Sequence, residues 1–448
     1  MVFTRDLRTR DNPALAQAWK GVGQPTMLFV LDEQLLGRPN LSSKRLWFLS
    51  EALQDLDRSL SLLGASLIVR RGEWGAEVLA EAEAAGASDI HVSDDHSSYA
   101  TSRFQRLESE AAIRGVRVHR HPGVSVVPPD LLQPAGGGGY KVFTPYFRRW
   151  CSTQWRSVEL PLHTKDGCTQ TPDEINVVEN IQFLEALAGQ SSKGSMTGGE
   201  TAGQERLSDW LDTGIENYAL VRDRPELDAT SRFSAYLHFG CLSPLEVAVA
   251  VSEQPDGEEF LRQLAWRDFF LQVLAHRPDA SFSNFRERGN QWNQDSESLQ
   301  AWATGMTGFP LVDAGMRQLE HEGFMHNRCR MVTASFLVKD LNHDWRLGAE
   351  HFMRHLIDGD VASNQLGWQW VAGTGTDSNP HRTLNPIRQS ERFDPKGAYV
   401  RRWIPELAEV NSPEIHDPSP ELRQRFGYPD QIVDHHEAIA HHQAMRTN

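Results

Sequence analysis

The sequence predicts an α/β N-terminal domain on a parallel, Rossmann-like sheet, followed by an all-α C-terminal domain. Three observations carry that expectation. Short β-branched apolar runs alternate with helical patterns through the first third of the chain, which is the signature of βα units. A polar stretch rich in Gly, Ser and Thr, residues 189–203, then reads as a linker or surface loop. From Gln204 onward helical periodicity dominates and the β-branched alternation fades.

Taken in order, strands are expected at residues 26–31, 66–69, 89–92 and 116–119, and helices at 43–63, 76–85 and 99–114. Neither a GxGxxG nor a Walker loop follows any of these strands, so this domain shows no motif for a dinucleotide or a nucleoside triphosphate. Four consecutive glycines, 136–139, and Val142-Phe-Thr-Pro-Tyr-Phe-Arg-Arg-Trp150 open a connection. The expected division is therefore 1–130 for the α/β domain, 131–205 for the connection and 206–448 for the helical domain.

At 448 residues the chain is long enough for two or three domains with substantial cores. Cys151, Cys168, Cys241 and Cys329 lie far apart without a CxxC pair, so a reducing, cytoplasmic setting is expected. The start is charged and no run approaches a membrane span, which points to a soluble, unsecreted protein. The pairs His435-His436 and His441-His442 fall in a polar C-terminal segment, and no metal site is expected there. A formal charge of -15 argues against nucleic acid only if it is spread evenly, and Arg382, Arg388, Arg392, Arg401 and Arg402 collect late in the chain.

The chemistry concentrates in residues 358–370, where Asp358, Asp360, Asn364, Trp368 and Trp370 share one short segment. If residues 361–370 are helical, Asn364 and Trp368 lie four apart on one face, while Trp368 and Trp370 point about 200° apart. Gln263, Trp266 and Arg267 have i, i+3, i+4 spacing, as do Asn327, Arg330 and Met331, and core packing does not explain the polar members. Thr230-Ser-Arg-Phe-Ser234 follows Tyr218 and precedes a helical run, so its hydroxyls and backbone N–H groups suit a diphosphate, although a Thr-Ser pair there is ordinarily only a cap.

The 358–370 segment resembles the flavin-binding signature of the photolyase and cryptochrome family. Gly373-Thr-Gly-Thr-Asp377, Arg382-Thr-Leu-Asn-Pro386, Arg392-Phe-Asp-Pro395 and Arg401-Arg-Trp-Ile-Pro-Glu-Leu407 continue the match, as do Tyr428-Pro to His435. Arg5-Asp-Leu-Arg8 and Asp11-Asn-Pro-Ala-Leu15 resemble the family's first strand-to-helix turn. Several more apolar residues normally precede that turn, so the first strand is expected to be clipped, by nature or by a misplaced start.

The resemblance implies one FAD in a folded shape, held by Tyr218, Thr230, Ser231, Arg232, Phe233, Ser234, Arg267, Asn327, Arg330, Asp358, Asp360 and Asn364. Asp358 is expected to pair with Arg330 beside the ring. Asn364 takes the position facing flavin N5, where a neutral amide can donate or accept and favours a fully reduced cofactor. It further implies a lesion pocket flanked by Trp266 and Trp370, lined by Asn327 and Met331, with Gln263 standing where the family normally has a glutamate. Trp292, Trp345 and Trp368 match the family's electron relay, with Trp368 nearest the flavin; Trp302 and Trp403 match no such role and are left in the core. Arg382 is expected on DNA phosphates.

The expectation is thus a class I cyclobutane pyrimidine dimer photolyase, a monomer without metal, that extrudes the lesion from ultraviolet-damaged DNA and splits it with an electron from photoexcited FADH⁻. An 8-hydroxy-5-deazaflavin antenna is favoured over methenyltetrahydrofolate, on a loose likeness around Asp94-Asp95. Two rivals stand beside this reading. A cryptochrome would sense light and repair nothing; its usual long C-terminal extension is not matched here. A (6-4) photolyase would explain Gln263, but such enzymes carry a histidine pair where this chain has His326 alone in Met325-His-Asn-Arg-Cys-Arg-Met331.

Overall fold

A computed structural model describes residues 1–21, 23–164, 174–192, 196–377 and 379–445. Cys168 and residues 193–195 of the polar stretch lie outside that set. The chain divides into two compact units, one of Met1–Glu216 with Ser231–Ser281, the other of Asn217–Thr230 with Phe282–Asn448.

The first unit is built on a five-stranded sheet of β1 (Val2–Phe3), β2 (Met27–Asp32), β3 (Leu67–Gly72), β4 (Asp89–Ser93) and β5 (Arg117–His121), in the order β3-β2-β1-β4-β5. All pairings are parallel. β2 is buried along its whole length, as expected of a strand covered on both faces. β1 is indeed short, yet Val2 pairs with both Leu28 and Val92, and the Met1 carbonyl accepts from Leu28 N at 2.9 Å. Val2, Leu28, Val30, Ile90 and Val92 pack against Trp74, Val78, Phe104 and Leu107 in one apolar cluster. The covering helices start at side-chain caps that the sequence offers, Asn12, Ser42 and Ser97.

Differences from the expected elements have local causes. β3 runs on through Arg70, Arg71 and Gly72 because its ladder to β2 continues to Asp32, although the apolar run ends at Val69. Residues 200–203, expected in a surface loop, form the first turn of a helix, Glu200–Thr213. Glu200 is 5% exposed, and its carboxylate accepts from Thr9 N at 2.8 Å and Arg10 N at 2.9 Å. Partners 190 residues away are invisible to a local reading.

The second unit contains no strand among the described residues. Its core gathers Trp302, Phe309, Phe336, Trp345, Phe352, Trp368 and Tyr399. Around it lie Pro310–Glu322, Asn327–Ser335, the π-helical turn Phe336–Asp340, Trp345–His355, Val361–Ala372, Pro386–Phe393 and His435–Ala444. Among the described residues no helix is long and apolar enough to cross a membrane, and no group of three or more His, Cys, Asp or Glu is placed to hold a metal ion. Cys241 and Cys329 are buried free thiols and Cys151 an exposed one.

Candidate functional site

In the second unit the helix Val361–Ala372 organises the chemistry. Asp360 caps it, its Oδ1 accepting from Ser363 N at 2.8 Å, and Gly373 ends it at φ 79°. The helix covers the whole 361–370 segment, so Asn364 and Trp368 share a face and both are buried. Asn364 Nδ2 donates to the Ala349 carbonyl at 3.0 Å, which leaves its own oxygen as the acceptor on that face. Trp370 is half-buried on another side, with the Arg382 guanidinium 4.9 Å from its ring centroid and its Nε1 buried without a hydrogen-bond partner. Gln369 locks the helix to the preceding chain, accepting from Phe285 N at 2.7 Å and donating to Ser283 O at 3.1 Å.

The helix Asn327–Ser335 presents Asn327, Arg330 and Met331 along one side. Arg330 donates to the Met325 carbonyl at 2.8 Å and, through Nη2, to both Asp358 oxygens at 3.2 and 2.9 Å. Asn327 is exposed, with its Nδ2 3.9 Å from the Met331 sulfur. His326 caps this helix, its Nδ1 accepting from Arg328 N at 3.1 Å. Burial pushes its imidazole down to about 4, so the ring is neutral near pH 7. Arg328, which nothing in the sequence marked, pairs with Asp223 at 2.8 Å and lies 4.2 Å over the Phe393 ring.

Of the three relay candidates, Trp345 is fully buried and donates to Asn284 Oδ1 at 2.9 Å, Trp368 is buried, and Trp292 is half-buried at the edge of the core. No ring-to-ring contact among the described residues joins any two of them. Trp368 instead meets Phe352 edge-on at 4.9 Å and Trp302 at 6.0 Å. Trp302 is in the core, its Nε1 donating to Thr333 O at 3.0 Å. Gly348 lies beneath Trp368, and a Cβ there would overlap the indole.

In the first unit the helix Glu258–His276 carries Gln263, Trp266 and Arg267. Trp266 stacks on Phe143 with centroids 3.7 Å apart and planes 5° from parallel, so one indole face is taken. Gln263 Nε2 makes a long 3.3 Å contact to the Glu259 carbonyl of its own helix. Arg267 is tied to backbone, donating to Val124 O at 2.5 Å and Leu237 O at 3.2 Å. Its neighbour Asp268 is fully buried; desolvation pushes that carboxyl up to about 6 against hydrogen bonds from Val126 N, Val127 N and Trp150 Nε1.

The 230–234 segment spans the boundary between the units. Ser231 Oγ accepts from Phe233 N at 3.4 Å, but the six-residue helix Ser234–Phe239 receives no side-chain cap. Arg232 sits at φ 55°, a left-handed conformation that costs a non-glycine residue about 1–3 kcal/mol and tends to accompany function. Thr230 Oγ1 is buried without a partner, whereas Ser234 is exposed. Tyr218, which opens a short helix, is buried. Within the first unit, the uncapped helix start and the strained arginine fit an anionic ligand better than they fit a simple helix cap.

Residues 260–447 match the FAD binding domain of DNA photolyase, and residues 1–164 match the DNA photolyase domain. The deoxyribodipyrimidine photo-lyase of Streptomyces griseus is 45% identical over 461 aligned positions, covering 100% of this chain and 98% of that protein. A class III photolyase from Agrobacterium tumefaciens superposes with a TM-score of 0.90 at 32% identity, covering 99% of this chain and 95% of that one. A Synechocystis cryptochrome superposes at 0.89 with 28% identity, over 99% and 98% of the two chains. On these matches, which span nearly its whole length, the chain belongs to the DNA photolyase family.

Proposed function

We propose that this chain is a deoxyribodipyrimidine photo-lyase, a carbon–carbon lyase that repairs cyclobutane pyrimidine dimers in ultraviolet-damaged DNA. The observation that carries the reading is the helix Val361–Ala372, which sets an amide with a fixed orientation, Asn364, on one face with Trp368 and directs Trp370 elsewhere. The full-length similarity to the Streptomyces enzyme supports it. When bound as FADH⁻, the flavin supplies the photoexcited electron that splits the dimer and takes it back, so no net redox change results.

The residues that would hold it are Tyr218, Thr230, Ser231, Arg232, Phe233, Ser234, Arg267, Asn327, Arg330, Asp358, Asp360 and Asn364. The free Thr230 hydroxyl suits the diphosphate, and the Arg330–Asp358 pair supplies fixed opposite charges. Asn364 is the selective element: with its nitrogen committed to Ala349 O, its oxygen accepts from an N–H. A flavin N5 carries that hydrogen only when reduced, so this amide orientation favours the working form. Arg267 would trade backbone carbonyls for phosphate oxygens.

On the DNA side, Trp266 and Trp370 would flank the extruded lesion, Gln263, Asn327 and Met331 would line its pocket, and Arg382 would contact phosphate. Extrusion costs a few kcal/mol and least at a damaged pair, which itself favours the lesion. Trp292, Trp345 and Trp368 would relay electrons to oxidised flavin. The class I assignment rests on the motifs, with the Agrobacterium class III structure as the comparison to separate from it. An 8-hydroxy-5-deazaflavin antenna, with methenyltetrahydrofolate as alternative, a monomeric state, a cytoplasmic location and the functional division at 130 and 205 complete the reading.

The Synechocystis similarity favours a cryptochrome as second reading, and Gln263 favours a (6-4) photolyase as third. His326 opposes the third, being buried, neutral and engaged as a cap, so it offers no proton to a lesion. One experiment separates all three: the purified, reduced protein receives both lesions under blue light. Restoration of cyclobutane dimers is expected. Restoration of the (6-4) product alone would overturn the lesion assignment, and restoration of neither would leave the photoreceptor reading.

A further inference from the structure

A cavity of about 390 Å³ in the second unit is lined by Thr383, Asn385, Arg388, Gln389, His435 and His436, together with Ile439. Its size falls within the range of small-molecule sites. We propose that it binds a nucleotide through its phosphate, as a position on the DNA strand outside the lesion pocket or as a free mononucleotide. The DNA source rests on the function proposed above, since Thr383 directly follows Arg382.

Four observations support the chemistry. Arg388 is exposed, and its guanidinium makes no ion pair among the described residues, whereas Arg402 and Arg423 of the same unit pair with Glu322 and Asp417. His435 is held by Asp340: its Nδ1 hydrogen-bonds the carboxylate, with the His435 side chain 10% exposed and the Asp340 side chain fully buried. A carboxylate on Nδ1 takes that nitrogen's hydrogen and fixes the ring, which leaves the opposite nitrogen, Nε2, an acceptor on the neutral ring and a donor only on the protonated one. His436 adds a second imidazole, its ring centroid 5.5 Å from that of His435. Gln389 Oε1 is buried without a partner and needs a donor, which a bare phosphodiester lacks but a sugar hydroxyl or a base amine supplies.

The neighbouring anions are already engaged. Asp340 is matched by His435, and Asp434 caps the helix His435–Ala444, its Oδ1 accepting from Glu437 N at 2.9 Å. The amide of Asn385 likewise serves as a cap, its Oδ1 accepting from Arg388 N at 3.0 Å. Arg388 and His436 are therefore the groups left to meet an oxyanion, while Nε2 of a neutral His435 would accept from a hydroxyl or an amine of the same ligand.

The test uses the full-length protein with Arg388→Gln and His436→Gln, both at exposed positions, and two probes, dAMP and an undamaged duplex titrated against salt. Either variant should weaken dAMP about tenfold, or Arg388→Gln should flatten the plot of log affinity against log salt by about 0.9, the contribution of one phosphate contact. Loss of dAMP binding with an unchanged slope supports the free nucleotide; a flattened slope supports the strand. If wild type binds no dAMP and the slope is unchanged in Arg388→Gln, or if dAMP binding is indifferent to both variants and the slope does not move, the site is refuted. A wild type that binds no duplex at all would sink the DNA reading instead, and the dAMP titration would then decide this one alone.

Discussion

Gln263 has one weak intrahelical contact to give up, so its amide is available to the edge of a thymine, answering an acceptor and a donor at once. Gln263→Ala should therefore weaken dimer binding and lower repair yield, costing on the order of 1 to 3 kcal/mol for the unsatisfied lesion edge, while Gln263→Glu should remain active. Filter binding and repair yield on dimer-containing duplex measure this, and an inactive Gln263→Glu with normal Gln263→Ala would reverse the assignment. His326 gives a prediction of a different kind. Its ordinary value near 6.5 is lowered to about 4 by burial, so between those values the unfolded chain binds more protons than the folded one. Stability from this residue is complete above pH 6.5 and fades as the pH falls toward 4, by roughly 3 kcal/mol in all. His326→Asn keeps a cap acceptor for Arg328 N and removes the titration. Denaturant midpoints from pH 7 to 4 should fall less steeply in the variant than in the wild type, and identical profiles would show that His326 is not the group responsible.

Two helices, Trp345–His355 and Val361–Ala372, meet where Gly348 lies against Trp368, and the absence of a side chain at that position sets how the indole sits. Gly348→Ala should cost about 1 to 3 kcal/mol by overpacking and should disturb photoreduction of oxidised flavin. Trp292→Phe should instead block photoreduction with little change in stability, and leave repair intact once the flavin is chemically reduced. Loss of repair with prereduced flavin would make Trp292 structural. At this scale the sequence was informative wherever the signal is periodic: β2 and β4 and the trio Asn327, Arg330, Met331 follow from spacing of apolar and polar residues, and the helix supposed over 361–370 is present as Val361–Ala372. It was silent where a partner is distant. Neither the carbonyl of Ala349 that orients Asn364, nor Asn284 beneath Trp345, nor Phe143 against Trp266, leaves any mark in local spacing. The candidate cofactor residues were legible through motif resemblance rather than through periodicity, because the shared property is a ligand and not a fold element.

For the molecule as a whole, a net charge of -15 makes DNA affinity a matter of local cations, and Arg382 is the one placed against Trp370. Arg382→Ala should weaken undamaged duplex and flatten its salt dependence by about one phosphate contact. Damaged duplex should lose at least as much, because the cation over Trp370 goes as well; unchanged affinity and slope would remove this face from the DNA-binding surface. The sheet has a consequence for how the protein is made. Because β1 is central, with β2 on one side and β4 on the other, the first strand of the sheet to be made keeps one edge unpaired until β4 arrives, after both β2 and β3. Val2 can pair with Leu28 early, but its other edge waits for Val92, an interval on the order of several seconds at about 5–20 residues per second. Throughout that interval the nascent β3-β2-β1 half-sheet shows an open edge in its future middle, where another chain could add. Slower translation between residues 30 and 90 should therefore lower the yield of native protein, whereas slowing after residue 121, when the sheet is closed, should not.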